Sequence, residues 1–231
     1  TMTQDELKAL VAKSAVEEIL QTTRTSDLIG MGTGSTVNFL IDALAEHSSH
    51  FSGVVSSSEA TSLRLRSHGF EVVEANAVSG LPIYIDGADE INSFGQMIKG
   101  GGGALTREKI VASLAQRFIC ICDASKFVDV LGQFPLPIEI IPMARAQITR
   151  FLEQLGGQVT LRLVAKQIDQ PFVTDNAGWI LDVRGLQITD PLALEVELNQ
   201  IPGIICNGIF AQHGANVLLI SGDNQVRRLT F

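Results

Sequence analysis

The sequence predicts an α/β protein with a Rossmann-like, mostly parallel sheet domain and a smaller ferredoxin-like α+β domain. Between residues 27 and 125, short apolar segments typical of strands alternate with segments typical of helices. Between residues 133 and 206 the order becomes βαββαβ, and two strand-like segments follow it. We therefore predict a first domain of residues 1–132 with 207–231 and a second domain of residues 133–206.

The first predicted helix has a clear start. Thr3 to Glu6 fits a capping box, and apolar residues recur at helical spacing from Leu7 to Ile19. Lys8 falls inside the apolar arc of this helix. Either its stem packs while its amine reaches water, which is the commoner arrangement, or it directs a cation into a cleft.

The segments that follow predict a mostly parallel sheet covered by helices on both faces. Strands are predicted in DLIGMG, FSGVVSS, FEVVEA, LPIYIDG and RFICICDAS, and helices in STVNFLIDALAEH, SEATSLRLRSHG and GALTREKIVASLAQ. The second domain is predicted from strands FPLPIEIIP, QVTLRL, GWILDVRG and GIICNG with helices MARAQITRFLEQLGG and DPLALEVELNQIPG. The tail, ANVLLISGDNQVRRLTF, predicts two strands that return to the first domain.

The composition of the chain argues against several classes of function. The net charge of −8 argues against a nucleic-acid surface, which needs a basic face, but not against a small anionic ligand. No apolar run reaches the roughly 18 residues of a membrane helix, and the polar first residues do not resemble a secretory signal. The three cysteines are expected to be reduced packing residues, with Cys120 and Cys122 not sharing a metal. We expect a cytoplasmic protein that binds neither nucleic acid nor membrane.

Polar and glycine-rich turns follow the predicted parallel strands. They read GMGTGST, SSSEATS, DGADEIN, KGGGGALTREK and DASK, and each carries hydroxyls, carboxylates, lysine or glycine. Ligands of open α/β sheets bind beyond the carboxyl ends of the strands. The convergence of these turns at one edge therefore predicts a binding site there.

The turn GMGTGST fits a dinucleotide fingerprint poorly. Ser35 stands where the last glycine of G-x-G-x-x-G belongs, and Ser56 to Ser58 replace the acid expected after the second strand. What remains is a glycine turn entering a helix, with the Thr33, Ser35 and Thr36 hydroxyls beside backbone N–H groups. That arrangement suits a single phosphate. The alternative is a tight turn in which Ser35 or Thr36 caps the helix.

The turn DGADE places Asp86, Asp89 and Glu90 within five residues. Such carboxylates bind metal, pair with cations or act as acid and base. A hard-metal site usually recruits more oxygen ligands or a histidine, and the four histidines lie elsewhere in the pattern. We therefore expect no metal. Taken singly, Asp86 and Asp89 favour an acidic turn exposed to water.

Four consecutive glycines lie between Lys99 and the next predicted helix, which carries Glu108. Glycine costs about 0.5–1 kcal/mol relative to alanine inside regular structure, so the run needs a reason. Glu108, flanked by Arg107 and Lys109, is either an ordinary surface charge or a carboxylate directed at the cleft. In the second case it is placed to take a proton from a carbon next to a carbonyl.

Together these motifs resemble one family, type A ribose-5-phosphate isomerase. The resemblance runs from residue 4 to about residue 220, and the pairing of DGADE with KGGGGALTREK is its most specific part. It implies an aldose–ketose isomerase, an intramolecular oxidoreductase that interconverts D-ribose 5-phosphate and D-ribulose 5-phosphate in the non-oxidative pentose phosphate pathway. It also implies no metal or cofactor. Members commonly form dimers or tetramers, and we expect a homodimer.

The resemblance assigns roles residue by residue. The catalytic base falls on Glu108, while Asp86, Asp89 and Lys99 fall around C1, C2 and the ring oxygen of the sugar. The implied substrate-binding positions, several of them at the phosphate, are Lys8, Thr33, Gly34, Ser35, Thr36, Asp86, Gly87, Ala88, Asp89, Lys99, Gly100, Gly101, Gly102 and Lys126. Backbone N–H groups of Gly100 to Gly103 are expected to face developing oxyanion charge. The segment LRLVAKQIDQPF is expected to carry none of this chemistry.

Three other function classes compete with this interpretation. A sugar-phosphate sensor on the same fold would have lost a carboxylate or lysine from these turns. An acyl-CoA transferase with a glutamate nucleophile would need a longer chain and an adenine site. A dehydrogenase is disfavoured by the incomplete dinucleotide fingerprint. Ketose formation from ribose 5-phosphate that survives a chelator distinguishes the isomerase from all three.

Overall fold

The computed structural model describes residues 1–231, which fall into two compact units. The first unit contains residues 1–88, 107–127 and 213–231, and the second contains residues 89–106 and 128–212. The predicted division at residues 132 and 207 stays a prediction. The two divisions differ chiefly in residues 89–106, whose two short strands pair with a strand at residues 209–210.

The chain forms six α-helices and thirteen strands. The helices are α1 (Gln4–Thr22), α2 (Ser35–Leu44), α3 (Glu59–Ser67), α4 (Leu105–Leu114), α5 (Arg145–Gln154) and α6 (Pro191–Leu198). The strands are β1 (Asp27–Met31), β2 (Phe51–Ser56), β3 (Leu81–Asp86), β4 (Glu90–Ile91), β5 (Met97–Ile98), β6 (Ala115–Asp123), β7 (Leu136–Ile140), β8 (Gln158–Leu161), β9 (Trp179–Arg184), β10 (Ile204–Asn207), β11 (Ile209–Phe210), β12 (Val217–Gly222) and β13 (Gln225–Thr230).

The first unit is built on a six-stranded sheet in the order β13-β12-β6-β3-β1-β2. Its first pair is antiparallel and all other neighbours are parallel, so the predicted mostly parallel sheet is confirmed. The tail returns to this sheet as β12 and β13, as predicted. The segment FEVVEA is not a full strand: it makes one isolated bridge, Val54 to Val72, before a 3₁₀ turn begins at Ala75.

Helix α1 begins as its sequence predicts. The Thr3 hydroxyl accepts the Glu6 N–H, and the Glu6 carboxylate accepts the Thr3 N–H, each at 3.1 Å. Val11, Ala15 and Ile19 are fully buried in the core of the first unit. This burial holds the helix against β6 and β12, because apolar area removed from water stabilises by about 25 cal/mol per Å².

The second unit contains an antiparallel four-stranded sheet in the order β10-β7-β9-β8, with α5 and α6. Numbered along the βαββαβ segment, this order is 4-1-3-2, and the predicted ferredoxin-like arrangement is confirmed. A small sheet in the order β11-β5-β4 was not predicted. Its strands are two residues long, which is too short for a period-2 pattern to be visible.

Two sequence expectations concern membranes and cysteines. None of the helices combines the length and the apolar character needed to cross a membrane. The three cysteines are buried and unbridged. Cys120 and Cys122, two residues apart on β6, lie on one face, where the hydrogen bond with Cys120, followed by burial, raises the pKa of the Cys122 thiol.

Candidate active site

Asp86 ends β3 and is completely buried, with a carboxylate that accepts three hydrogen bonds within the first unit. The donors are the Gly87 N–H at 2.7 Å, the Thr33 N–H at 3.2 Å and the Tyr84 hydroxyl at 2.5 Å. Several hydrogen bonds are what a buried carboxylate needs to offset its loss of hydration. The solvated acidic turn considered for Asp86 is therefore wrong.

Gly32 gives the Asp86 carboxyl its space. A Cβ built on Gly32 would lie 1.9 Å from Asp86 Cγ, a distance that no side chain tolerates. The Gly32 N–H donates to the Ile85 carbonyl at 2.8 Å, and its own carbonyl accepts the Thr61 hydroxyl at 2.8 Å, so its backbone is fixed. The second glycine of GMG thus leaves room for a carboxylate 54 positions later in the chain.

Tyr84 is the residue of the candidate site that the sequence interpretation missed. It is fully buried, and its hydroxyl donates to Asp86 Oδ2. Burial raises the pKa of the Tyr84 phenol well above its usual range, and the charges of Asp86 and Glu108 raise this pKa further. A signal was present: Tyr84 lies two residues before Asp86 on β3, so both side chains point to one face.

Glu108 lies in α4 and is only 4% exposed. Its charge acts on the Tyr84 phenol, so these groups lie within electrostatic reach of each other in the first unit. Its neighbour Arg107 instead contacts Glu59 on the surface, with Nη1 3.0 Å from Oε1. The ordinary surface charge considered for Glu108 is therefore wrong, and its charge, like that of Asp86, raises the pKa of the buried Tyr84 phenol.

The turn after β1 is linked to the turn after β2 by hydroxyl groups. Thr33 Oγ1 lies 2.7 Å from Ser57 Oγ and donates to Ser58 Oγ at 2.9 Å. Gly34, with a φ of +117°, is the N-cap residue of α2, and no side chain caps this helix. The alternative in which Ser35 or Thr36 caps the helix is therefore wrong.

Two lysines lie beside the carboxyl ends of neighbouring strands in the first unit. Lys126 ends the 3₁₀ turn that follows β6 and is partly buried. Lys8, also partly buried, follows Leu7, whose carbonyl accepts the hydroxyl of Ser221 at 2.9 Å. Ser221 pairs with Asp123 across β12 and β6, so both lysines belong to the sheet edge that carries Asp86.

The remaining predicted residues of the site belong to the second unit. Asp89 accepts the Gly101 N–H at 2.8 Å. Lys99 is 3% exposed, and its Nζ lies 5.5 Å from the centre of the Phe210 ring, which is a cation–π distance. The Lys99 N–H donates to the Gly208 carbonyl at 2.9 Å, so the backbone before the glycine run is anchored.

The glycine run forms a turn that requires glycine at two of its four positions. Gly100 and Gly103 have φ values of +111° and +80°, in the region that L side chains rarely adopt. The Gly103 N–H donates to the Gly100 carbonyl at 2.9 Å. Two of the N–H groups expected to face an oxyanion, those of Gly101 and Gly103, are therefore used inside the second unit.

The segment LRLVAKQIDQPF contains a residue that contacts this turn. Arg162 Nη1 donates to the carbonyls of Gly100 and Gly101, each at 3.1 Å. The expectation that this segment carries none of the chemistry stays a prediction, but the segment does contact the glycine turn. The sequence carried no sign of the contact, because Arg162 and Gly100 lie 62 residues apart.

The structure contains no group of three or more His, Cys, Asp or Glu side chains arranged to share a metal ion. Asp86, Asp89 and Glu90 each have different hydrogen-bond partners. Those of Asp86 and Asp89 are described above. Glu90 accepts the N–H groups of Gly132 and Phe134, at 2.9 and 3.0 Å. Independence from metal and cofactor stays a prediction.

Known proteins resemble the chain over its whole length. The family model described as Ribose 5-phosphate isomerase A (phosphoriboisomerase A) matches residues 53–225. Ribose-5-phosphate isomerase A of Polynucleobacter asymbioticus is 57% identical, with all of both chains covered. The crystal structure of ribose 5 phosphate isomerase A from Neisseria gonorrhoeae shares 45% identity at a TM-score of 0.92, with 99% of this chain and 97% of that chain covered.

A further solved structure is a D-ribose-5-phosphate isomerase in complex with phospho-erythronic acid. It shares 36% identity at a TM-score of 0.92, with 100% of both chains covered. A family model that spans most of the chain and a full-length relative at 57% identity agree. The chain therefore belongs to the ribose 5-phosphate isomerase A family, whose reaction is the interconversion of ribose 5-phosphate and ribulose 5-phosphate.

Proposed function

We propose that this chain interconverts D-ribose 5-phosphate and D-ribulose 5-phosphate through a cis-enediolate, with Glu108 as the base. The observation that supports the base is its setting: Glu108 is a buried carboxylate within electrostatic reach of Tyr84, whose hydroxyl donates to Asp86 at the end of β3. A carboxylate with little access to water is suited to proton transfer at carbon.

In the proposed reaction the open-chain sugar presents its C1 aldehyde and a C2 proton that the aldehyde makes acidic. Glu108 takes the C2 proton and returns it to C1, while the hydroxyl proton of O2 moves to O1. Negative charge develops on O1 and O2. Lys99 supplies the cation that stabilises this charge, a role that the family resemblance supports.

The two aspartates have separate proposed roles. Asp86 moves a proton at the ring oxygen when the furanose opens, and Tyr84 holds its carboxylate in place. Asp89 binds sugar hydroxyls or orients Lys99, and its hydrogen bond from Gly101 fixes its carboxylate. Further substrate contacts are proposed for Gly87, Ala88 and Gly102, which border these groups in the sequence.

The phosphate is proposed to bind at the start of α2, where no side chain caps the helix. The exposed N–H groups of a helix start attract anions. Ser35 and Thr36 lie at this start, and Lys8 and Lys126 lie along the same sheet edge. Binding the phosphate away from the reacting carbons positions the chain of the sugar for proton transfer.

The wider setting is also a proposal. The enzyme works without metal or cofactor as a homodimer in the cytoplasm, within the non-oxidative pentose phosphate pathway. Family membership supports the pathway, and the acidic composition is compatible with a sugar-phosphate enzyme that binds no nucleic acid. Light scattering of the purified protein tests the dimer, and a monomer would contradict it.

The decisive experiment measures ketose formation from ribose 5-phosphate by the parent chain and by Glu108→Gln, each with and without a chelator. We expect parent activity that survives the chelator. We expect turnover of Glu108→Gln to fall by about three orders of magnitude with little change in affinity, since the amide keeps the shape but cannot accept the proton. Phospho-erythronic acid, found with a relative, is the probe for affinity.

A matched control is Glu59→Gln, which alters an exposed carboxylate of the first unit that pairs with Arg107. It should leave turnover within twofold of the parent. Near-normal turnover of Glu108→Gln would overturn the base assignment. Loss of all activity in the chelator would overturn the metal-free reaction, and absence of any conversion by the parent would leave a sugar-phosphate sensor.

A further inference from the structure

Arg162 binds the glycine turn from the side of its carbonyl groups. The guanidinium Nη1 donates to the Gly100 and Gly101 carbonyls, each at 3.1 Å. We propose that Arg162 is a positioning residue of the isomerase, which sets the direction of the Gly101 and Gly102 peptide N–H groups. This inference rests on the proposed function, because it assigns the turn to the reacting end of the sugar.

The guanidinium is itself held firmly. Arg162 Nε and Nη2 donate to the two carboxylate oxygens of Asp182, at 2.9 and 2.6 Å, in the forked geometry that makes such pairs strong. The guanidinium carbon lies 5.9 Å from the centre of the Phe172 ring. The Arg162 N–H donates to the Ile180 carbonyl, and its carbonyl accepts the Phe172 N–H. Asp182 belongs to β9, so the four-stranded sheet fixes the guanidinium before any sugar arrives.

Peptide geometry connects this contact to the other side of the turn. In a trans peptide the carbonyl and the next N–H point in opposite directions. A donor that fixes the Gly100 and Gly101 carbonyls therefore directs the Gly101 and Gly102 N–H groups away from Arg162. The first of these donates to Asp89 Oδ2 at 2.8 Å. We assign the second, that of Gly102, to the developing oxyanion.

Charge adds to the geometric effect. A guanidinium at the carbonyl oxygens polarises both peptide groups and strengthens their N–H groups as donors, because hydrogen bonds in a chain reinforce one another. A Cβ built on Gly102 meets no atom within 4 Å, so the turn leaves open space at this position. A fixed, polarised donor beside open space is what oxyanion stabilisation needs.

The test compares Arg162→Gln and Arg162→Lys with Arg184→Gln. Arg184 is exposed on β9 of the same sheet and serves as the matched control. We expect kcat for ribose 5-phosphate to fall about 10- to 100-fold in Arg162→Gln with KM changed less than about threefold, because small displacements of positioned groups cost this much. Arg162→Lys should recover only part of the loss, since an ammonium lacks the planar fork.

Two further measurements separate positioning from folding. In the absence of sugar, amide hydrogen exchange at Gly101 should become at least tenfold faster in Arg162→Gln than in the parent and stay unchanged in Arg184→Gln. Methylguanidinium at low millimolar concentration should restore part of the kcat of Arg162→Ala, which a general loss of folding would not permit.

Two results would overturn the inference. One is a kcat for Arg162→Gln within twofold of the parent, and the other is unchanged Gly101 exchange in that variant. If Arg162→Gln does not fold, Arg162→Lys and Asp182→Asn carry the same measurements. Failure of the proposed function is distinguishable, because it would appear as no ketose formation by the parent or as near-normal turnover in Glu108→Gln, whereas the exchange measurement needs neither sugar nor turnover.

Discussion

The two glycine-rich turns of the chain use glycine for different reasons. In GMGTG, Gly32 is required because a buried carboxylate occupies the place of its side chain. In KGGGG, Gly100 and Gly103 are required because the backbone adopts positive φ values there. The first turn is thus fixed by a side chain from the neighbouring strand β3, and the second by its own conformation together with the contact from Arg162.

The difference shows how one sequence feature can serve two kinds of site. The first turn lets Asp86 be buried with three donors, so its chemistry is that of a held carboxylate. The second turn exposes backbone at Gly101 and Gly102, and the role proposed for it is that of directed N–H groups. Substitutions that add only a methyl group should therefore have unequal effects in the two turns.

The largest effect on folding is expected for Gly32→Ala. The new Cβ would lie 1.9 Å from Asp86 Cγ, and neither the buried carboxylate nor the fixed Gly32 backbone can move without breaking hydrogen bonds. We expect the free energy of unfolding to fall by about 3 kcal/mol, at the upper end of the usual cost of overpacking. Urea denaturation measures this free energy.

Gly80→Ala is the control for this prediction. Its Cβ would meet the Leu114 carbonyl oxygen at 3.6 Å, an ordinary contact, and the free energy of unfolding should change by less than about 0.5 kcal/mol. If Gly32→Ala is as stable as Gly80→Ala, then Asp86 does not occupy the space beside the first turn.

A smaller effect is expected for Tyr84→Phe, which removes one donor from Asp86. The carboxylate keeps the Gly87 and Thr33 N–H groups, so we expect the free energy of unfolding at neutral pH to fall by about 1–2 kcal/mol. Turnover should fall about tenfold, because Asp86 loses one of the contacts that orient it. A kcat within twofold of the parent would show that the two N–H groups hold Asp86 without the phenol.

The same residue predicts a pH dependence. The pKa of Tyr84 is raised in the folded chain, whereas the unfolded chain titrates near about 10. Above about pH 10 the unfolded state therefore binds fewer protons than the folded state, and the free energy of unfolding falls as pH rises. Tyr84→Phe should lose less stability over this range than the parent.

Spectroscopy isolates this titration because Tyr84 is the one tyrosine of the chain. Tyrosinate absorbance in the folded protein should appear only at pH values where the chain also unfolds. Titration of the native protein near about pH 10, as in a free tyrosine, would contradict the buried contact between Tyr84 and Asp86.

The sequence predicted the elements of the fold because their patterns are local. The capping box at Thr3, the alternation of strands and helices, and the βαββαβ order all depend on spacing within one segment. The strand predicted in FEVVEA is wrong, because a strand needs a partner along its length and β2 pairs with this segment at only one bridge, between Val54 and Val72. The three-stranded sheet was missed because strands of two residues leave no pattern.

In the candidate site, too, local patterns could be predicted from the sequence and long-range contacts could not. Asp86, Asp89 and Glu108 became candidates because they lie in or after polar and glycine-rich turns that follow strands, but their roles, and that of Lys99, came from the family resemblance. The surroundings of these four residues could not be predicted from the sequence. Whether Glu108 is buried, whether Tyr84 contacts Asp86 and whether Arg162 contacts Gly100 depend on residues far apart in the chain. Tyr84 is the intermediate case, since its spacing from Asp86 placed it on the same face of β3.

The smallest effect on folding is expected for Gly101→Ala, which is the counterpart of Gly32→Ala in the second turn. The new Cβ would lie 2.7 Å from Asp89 Oδ1, but Asp89 is only partly buried and can rotate away. We expect the free energy of unfolding to fall by less than about 1 kcal/mol, in the range of ordinary surface changes. Gly102→Ala, whose Cβ meets nothing within 4 Å, is the control for stability and should change it by less than about 0.5 kcal/mol.

Gly101→Ala should reduce activity much more than it reduces stability. Rotation of Asp89 breaks its hydrogen bond with the Gly101 N–H, so the carboxylate loses its fixed direction. We expect kcat to fall about tenfold while denaturation stays close to that of the parent. A loss of stability as large as that of Gly32→Ala would contradict the distinction between the turns, because it would mean that Asp89 is held as rigidly in the second turn as Asp86 is in the first.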